Sequence, residues 1–258
     1  TLIWNFEAYG FVKGAAPDTV NPSLWRQALL NGKVGLFKVS DGIYQLRGFD
    51  ISNITLIEGK TGWIVVDTLT ARETAAAAMA FARQHLGDKP VSAVVFTHSH
   101  VDHFGGALGV ITAEEVAKRQ VPVVAPVGLM EEATSENVLV GIGMGRRAGY
   151  MYGKNLERSA RGQVDVGNGK AAAFGSIGIL APNQIIKETD QNLVIDGVKF
   201  EFHTAAGSEA PSEMTFYLPE LKAYCGSEVA VQTMHNVYTL RGTKVRDAMK
   251  WSQYLDQM

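Results

Sequence analysis

Residues 97–103 concentrate side chains that bind metal ions. The segment reads T-H-S-H-V-D-H and contains three imidazoles and one carboxylate, those of His98, His100, Asp102 and His103. Side chains two positions apart in an extended segment point to the same side, so His98 and His100 can share one ion. Asp102 and His103 lie beyond the turn and are expected to serve a second ion. Nitrogen and carboxylate ligands without thiolate favour zinc or a similar divalent ion in a catalytic site.

The elements around this segment are predicted to hold it rigidly. Residues 91–96 are an apolar run that indicates a buried strand, and Gly105 and Gly106 follow the ligands. A strand that leads into a tight turn fixes its side chains at one point. The alternative is a polar loop that binds nothing. It is disfavoured because such a cluster beside a core strand is costly without a compensating ion.

Strand and helix patterns alternate along the rest of the chain and predict an α/β protein. Strand patterns cover residues 34–39, 43–47, 51–57, 63–66, 121–124, 193–195, 198–203, 214–218 and 222–225, and helix patterns cover residues 22–30, 70–84, 113–119, 127–140 and 243 onward. Residues 141–175 are rich in glycine and basic side chains, which indicates a surface loop or lid. Strand clusters in both halves, each flanked by helices, predict a helix-sheet-sheet-helix sandwich.

Composition excludes several classes of protein. The 258 residues are 46% hydrophobic and 19% charged, with a formal net charge of −2. This balance gives no electrostatic case for nucleic acid or for an anionic membrane surface. No apolar run reaches the roughly 20 residues of a transmembrane helix, and the first residues lack the pattern of a signal peptide. A single cysteine, Cys225, excludes an internal disulfide.

Two glutamates in the second half are predicted to complete a two-metal centre. Glu209 lies in G-S-E-A-P-S-E, after the strand pattern that ends near His203, and Glu228 lies in G-S-E, after the one that ends at Cys225. Acidic residues at matched strand ends converge on the face that carries His98.

Residues 235–242 combine groups that hold an anionic oxygen. The segment reads H-N-V-Y-T-L-R-G and includes Asn236, Tyr238 and Arg241. Arginine offers a planar fork of donors to an oxyanion. The alternative is a helix start with Arg241 in a surface ion pair.

Together these motifs resemble a known family. T-H-S-H-V-D-H-F-G-G resembles the signature of the metallo-β-lactamase superfamily. With S-E-A-P-S-E-M and H-N-V-Y-T-L-R-G, the chain resembles the zinc-dependent alkylsulfatases within it. Glu209 stands where most members have a histidine, an exchange typical of the alkylsulfatase branch. The resemblance implies the metallo-β-lactamase-type αββα sandwich.

The resemblance also implies two Zn²⁺ per chain and a role for each site residue. The expected metal ligands are His98, His100 and Glu209 for one zinc, and Asp102 and His103 for the other, with Glu228 as the bridge. Asp102 and Glu228 are also expected to be catalytic. Asn236, Arg241 and Tyr238 are expected to bind the substrate.

The implied activity is hydrolysis of alkyl sulfate esters, such as dodecyl sulfate, to an alcohol and inorganic sulfate. Hydroxide activated by the binuclear zinc centre is the expected nucleophile, and detergent degradation is the expected role. The substrate is a small amphiphilic sulfate ester. The resemblance further implies a homodimer, formed through segments outside these 258 residues, and favours a periplasmic or secreted location.

We expect residues 1–31 to be an N-terminal extension that packs on the core and residues 32–258 to be the catalytic domain. The family's second zinc has a late histidine ligand, and this chain has no histidine after His235. The domain is therefore expected to be incomplete at its C-terminal side.

Three alternatives stay open. Another hydrolase of the same superfamily, a lactonase or thioesterase, uses a similar ligand turn. A non-haem iron oxygenase would use His100-Val101-Asp102 as part of a facial triad and leave His98 and His103 surplus. A non-catalytic metal-binding module would retain the metal for stability.

Overall fold

Two packed β-sheets form the centre of the protein. A computed structural model describes residues 2–258. The larger sheet has seven strands, ordered as in the chain. They are β1 (Gly35–Ser40), β2 (Ile43–Arg47), β3 (Ile54–Glu58), β4 (Trp63–Val66), β5 (Val91–Val95), β6 (Val123–Pro126) and β7 (Gln184–Ile186). Strands β1 to β4 pair antiparallel, and β4 to β7 pair parallel. The loops after β4, β5 and β6 therefore leave the same edge of the sheet.

The smaller sheet has four antiparallel strands. They are β8 (Gln191–Ile195), β9 (Val198–Thr204), β10 (Met214–Leu218) and β11 (Ala223–Cys225), in the order β11-β10-β9-β8. Phe200, Phe202 and Phe216 from this sheet pack against the larger sheet in one apolar cluster. Side chains of β5 alternate between the two faces of the sheet, so Val95 joins this cluster while Val94 joins the cluster under the helices.

Within residues 2–258, eight α-helices surround the sheets. They are α1 (Pro22–Leu30), α2 (Arg72–Leu86), α3 (Val101–Phe104), α4 (Ala107–Val110), α5 (Ala113–Arg119), α6 (Leu129–Thr134), α7 (Gly141–Met151) and α8 (Ala248–Gln257). The alanine-rich face of α2 packs on the larger sheet. Helix α8 lies beside the smaller sheet, where Trp251 packs against Ala205 and Val229. The predicted αββα sandwich is confirmed.

The N-terminal segment contacts residues 160–170. Trp25 and Ala28 of α1 share an apolar cluster with Val164. The ammonium of Lys170 donates to the Ala28 carbonyl at 2.6 Å. Helix α1 therefore packs on the long connection before β7.

The prediction of a loop over residues 141–175 was wrong for its first part, which forms α7. Four glycines lower the helix propensity of this segment, but Met144 is buried and anchors the helix. Residues 152–175 are largely irregular, as predicted. Among residues 2–258, no helix is both long and apolar enough to cross a membrane.

Candidate metal centre

Glycines let the ligand-bearing turn approach the neighbouring loop closely. The turn follows β5 and runs into α3, which carries Asp102 and His103. A Cβ atom on Gly106 would lie 2.1 Å from the Thr68 carbonyl oxygen, and one on Gly105 would lie 2.3 Å from that of Thr70. Only glycine fits at these distances, so the H-F-G-G sequence seats the turn against the loop after β4.

Four side chains form a first group of possible ligands: His98, His100, Glu209 and Glu228. The Oε2 atom of Glu209 lies 2.7 Å from His100 Nδ1 and 3.5 Å from His98 Nε2. His98 Nε2 also lies 3.7 Å from Glu228 Oε2. Nitrogen and oxygen atoms of these side chains thus lie around a common point in the protein interior, just beyond the last residue of β5.

A second group contains Asp102, His103 and Glu228. His103 Nε2 lies 3.4 Å from Asp102 Oδ2 and 3.6 Å from Glu228 Oε1. Glu228 therefore turns one carboxylate oxygen to each group. The structure brings together all six side chains that the sequence predicted as metal ligands.

The chemistry of this donor set fits divalent cations. The Nε2 atoms of His98, His100 and His103 are buried and have no hydrogen-bond partner among residues 2–258. Burial and the neighbouring imidazoles hold the pKa of His98 well below its usual value. Burial alone would lower the pKa of His103, but Asp102 and Asp67 raise it well above its usual value. A metal ion would supply the positive charge that these carboxylates attract.

Hydrogen bonds orient two of the imidazoles through their other nitrogen. His103 Nδ1 lies 2.7 Å from Asp67 Oδ2, and His98 Nδ1 lies 2.9 Å from Thr97 Oγ1. Thr97 in turn donates to Asp67 from its amide and from its hydroxyl, both at 2.8 Å. Such outer contacts fix the ring and its tautomer in metal sites. Sequence reasoning missed Asp67, although it directly follows β4 at the ligand edge of the sheet.

Glu136 and Arg246 were also missed. Glu136 lies on a π-helical turn, Ser135–Leu139, and its Oε2 is 3.8 Å from His100 Nε2. Buried Arg246 forms an ion pair with Glu209 and donates from Nε to the Glu209 carbonyl at 2.7 Å. No pattern in the sequence marks either residue, because their partners are remote in the chain.

Some residues of the predicted anion-binding segment, 235–242, lie close to the candidate metal ligands. Arg241 donates to the Tyr152 hydroxyl at 3.3 Å. Burial opposes the charge of Arg241, but Tyr152, Asp102 and Glu136 raise its pKa. Its guanidinium therefore stays charged beside the ligand carboxylates.

The other residues of that segment differ in exposure. The carbonyl of Asn236 accepts from Arg246 at 2.6 Å, which fixes the backbone of the segment. Tyr238 is 54% exposed. His235 Nε2 lies 3.5 Å from Glu228 Oε2. A cavity of about 560 Å³ opens beside the second group and is lined by His103, Glu228 and His235, among others.

Residues 47–256 match the metallo-beta-lactamase superfamily, and the chain belongs to that superfamily. The metallo-beta-lactamase from Pontibacter korlensis, at 20% identity, shares the fold with a TM-score of 0.52 over 87% of this chain and 86% of that one.

Within the superfamily, the chain is similar to alkylsulfatases. It is 49% identical to a linear primary-alkylsulfatase of a Pseudomonas species, over 99% of this chain and 38% of the relative. It is 47% identical to an alkyl/aryl-sulfatase of Saccharomyces cerevisiae, over 99% and 40% of the two chains. The stereoselective inverting sec-alkylsulfatase Pisa1 of a Pseudomonas species superposes with a TM-score of 0.96 at 47% identity, over 99% of this chain and 40% of that one. The chain thus spans about two fifths of the length of these relatives.

Proposed function

We propose that the protein containing this chain is a hydrolase that converts alkyl sulfate esters to an alcohol and inorganic sulfate with two zinc ions. The observation that carries the proposal is the Glu228 carboxylate, which is shared between two ligand groups. Its neighbourhood holds a charged arginine, Arg241, suited to a sulfate. Similarity to alkylsulfatases along nearly the whole chain supports the same substrate class.

In this proposal, His98, His100 and Glu209 would hold one zinc and Asp102 and His103 the other, with Glu228 available to both. Zinc held by these residues would supply hydroxide at neutral pH and positive charge beside the scissile ester. Residues 32–258 form the catalytic domain, and the whole protein forms a homodimer through its other segments.

Protein groups position the sulfate. Arg241 is held by the Tyr152 hydroxyl, so its remaining guanidinium donors are oriented for two oxygens of one sulfate. The Oδ1 atom of Asn236 accepts from Arg246 at 3.4 Å, so the amide NH₂ would be the group that donates to an anionic oxygen. Tyr238 is a third proposed substrate contact. These donors stabilise negative charge on the leaving sulfate as the ester bond breaks.

Exposed apolar side chains suit the alkyl part of the substrate. The turn that carries Glu136 also exposes Val138 and Leu139, at 70% and 76%, and Ile142 follows at 80%. Apolar groups near a charged centre match an amphiphile, whose sulfate binds at the metals while its chain lies along this surface.

Labelled water tests which bond breaks. The similar Pseudomonas enzyme is described as inverting, and inversion at carbon requires cleavage of the C–O bond. We expect hydrolysis of a secondary alkyl sulfate in H₂¹⁸O to place the label in the alcohol. Label in the sulfate would contradict this route. Turnover of lactones or thioesters without sulfate release would favour another hydrolase of the superfamily.

A further inference from the structure

Glu213 is a buried carboxylate that belongs to neither ligand group. It lies one residue before β10 and is 1% exposed. Its Oε2 atom accepts from Ser208 Oγ at 2.9 Å, from the Glu209 amide at 3.0 Å and from the Ala210 amide at 2.9 Å. One oxygen thus holds the backbone of the loop that carries Glu209.

The other oxygen of Glu213 holds a second loop. Its Oε1 atom accepts from Ser227 Oγ at 2.8 Å and from the Glu228 amide at 3.2 Å. Ser227 has a positive φ of 51°, a backbone conformation that a fixed hydrogen bond helps to maintain. The two oxygens of one side chain therefore connect the loops that carry Glu209 and Glu228.

A third connection reaches His98. Ser227 Oγ lies 3.2 Å from His98 Nδ1. The backbones of His98 and Glu213 also form an isolated antiparallel bridge, and Met214 N donates to the Thr97 carbonyl at 2.9 Å. Glu213 is thus tied to three of the four side chains of the first group.

We propose that Glu213 is a positioning residue that holds Glu209, Glu228 and His98 at the spacing a metal ion requires. An ionised carboxylate is suited to this role because both of its oxygens only accept, and five donors face it. Glutamine in the same place would turn an NH₂ group toward N–H or O–H donors on one side. The inference rests on the metal centre of the proposed function but not on its substrate.

The test compares Glu213→Gln with a matched control, Asp196→Asn, in the longest natural protein that contains this chain. Asp196 is also a carboxylate that ties two loops: it accepts from Thr61 Oγ1 at 2.9 Å and from the Gly62 amide at 3.1 Å. It lies at the end of the sheet opposite the ligands, so its loss affects folding but not metal geometry.

We expect E213Q to lose zinc to a chelator about 10–100-fold faster than the wild type. We also expect a changed visible absorption spectrum of its Co²⁺ form, because the ligands move. D196N should keep the wild-type rate and spectrum. A wild-type rate and spectrum in E213Q would overturn the proposal. Neither measurement uses a sulfate ester, so a wrong substrate class leaves the test intact.

A milder variant decides the matter if E213Q does not fold. Ser227→Ala removes only the hydroxyl between Glu213 and His98. We expect it to accelerate metal loss in the same direction and by a smaller factor than E213Q. Metal loss at the wild-type rate in S227A would then overturn the proposal.

Discussion

At the scale of single residues, Glu209 has two partners of opposite kinds. Its Oε2 atom faces the first group of ligands, while Arg246 pairs with its Oε1 atom and holds its backbone carbonyl. The arginine fixes the carboxylate in position from the side away from the other possible ligands. A glutamate at this site is therefore held by an ion pair before any metal binds.

This arrangement predicts the effect of Glu209→Gln. The variant removes one ligand charge and leaves buried Arg246 without its partner. We expect metal affinity of the first group to fall by at least about 100-fold, since loss of a ligand costs more than loss of an outer contact. Competition with a chelator measures it. Glu201→Gln, on β9, is the control, and equal affinities in the two variants would count against Glu209 as a ligand.

Candidate ligands were predictable from the sequence where they lie close together in the chain. His98, His100, Asp102 and His103 stand out because four ligand-type side chains within six positions are rare outside metal sites. Glu209 and Glu228 followed from the strand ends. Glu213 lay in the quoted motif and was still missed, since only its five hydrogen bonds distinguish it from any loop glutamate.

At the scale of elements, close contact between the ligand turn and the loop after β4 depends on Gly106. Gly106→Ala would force its Cβ against the Thr68 carbonyl. We expect a loss of about 3 kcal/mol in the free energy of unfolding, together with weaker metal binding. Gly145→Ala is the control: it lies in exposed α7 with open space around it and should stabilise the protein by about 0.5–1 kcal/mol. Urea denaturation of both variants checks this pair. Equal free energies of unfolding in the two variants would show that the turn can shift to accommodate the added methyl group.

Helix α2 is tied to the irregular connection before β7 by Glu73, which accepts from Ser176 Oγ at 2.7 Å and from Ser176 N at 2.9 Å. These hydrogen bonds lower the pKa of Glu73 below its usual value. A carboxylate with a depressed folded pKa stabilises the fold above its unfolded pKa, about 4.3, and loses this contribution as pH falls through the folded pKa.

Glu73→Gln should therefore lower the Tm at pH 7, and the difference from the wild type should shrink as the pH falls below about 4.3. Thermal melts of metal-free protein across this range measure the difference. Glu114→Gln, an exposed carboxylate in the first turn of α5, is the control. A Tm difference for E73Q that persists unchanged at pH 3 would contradict the account.

Sequence patterns predicted the elements well where apolar periodicity was strong, as in the strands of the larger sheet and in α2. They failed at α7, where glycines weaken the helix signal and only the packing of Met144 reveals the helix. They also gave no sign of the π-helical turn. The position of Glu136 beside His100 depends on tertiary packing, which local sequence patterns do not record.

At the scale of the whole molecule, the two ligand groups differ in the number of donors. The first has four side chains and the second has three, with Glu228 in both. We expect the isolated chain of residues 1–258 to release its metal in two steps during chelator titration, the second group first. His98→Ala should remove the tighter step, and Asp102→Ala the weaker one. A single step unaffected by either variant would refute two unequal sites.

The most direct test of the proposed function measures sulfate release from dodecyl sulfate by the longest natural protein that contains this chain. Zinc content is determined on the same sample, with His98→Ala beside it. We predict two zinc ions per chain, release of sulfate by the wild type, and loss of both sulfate release and zinc from the first group in the variant. Protein without bound metal, or sulfate release at the wild-type rate in His98→Ala, would contradict the account.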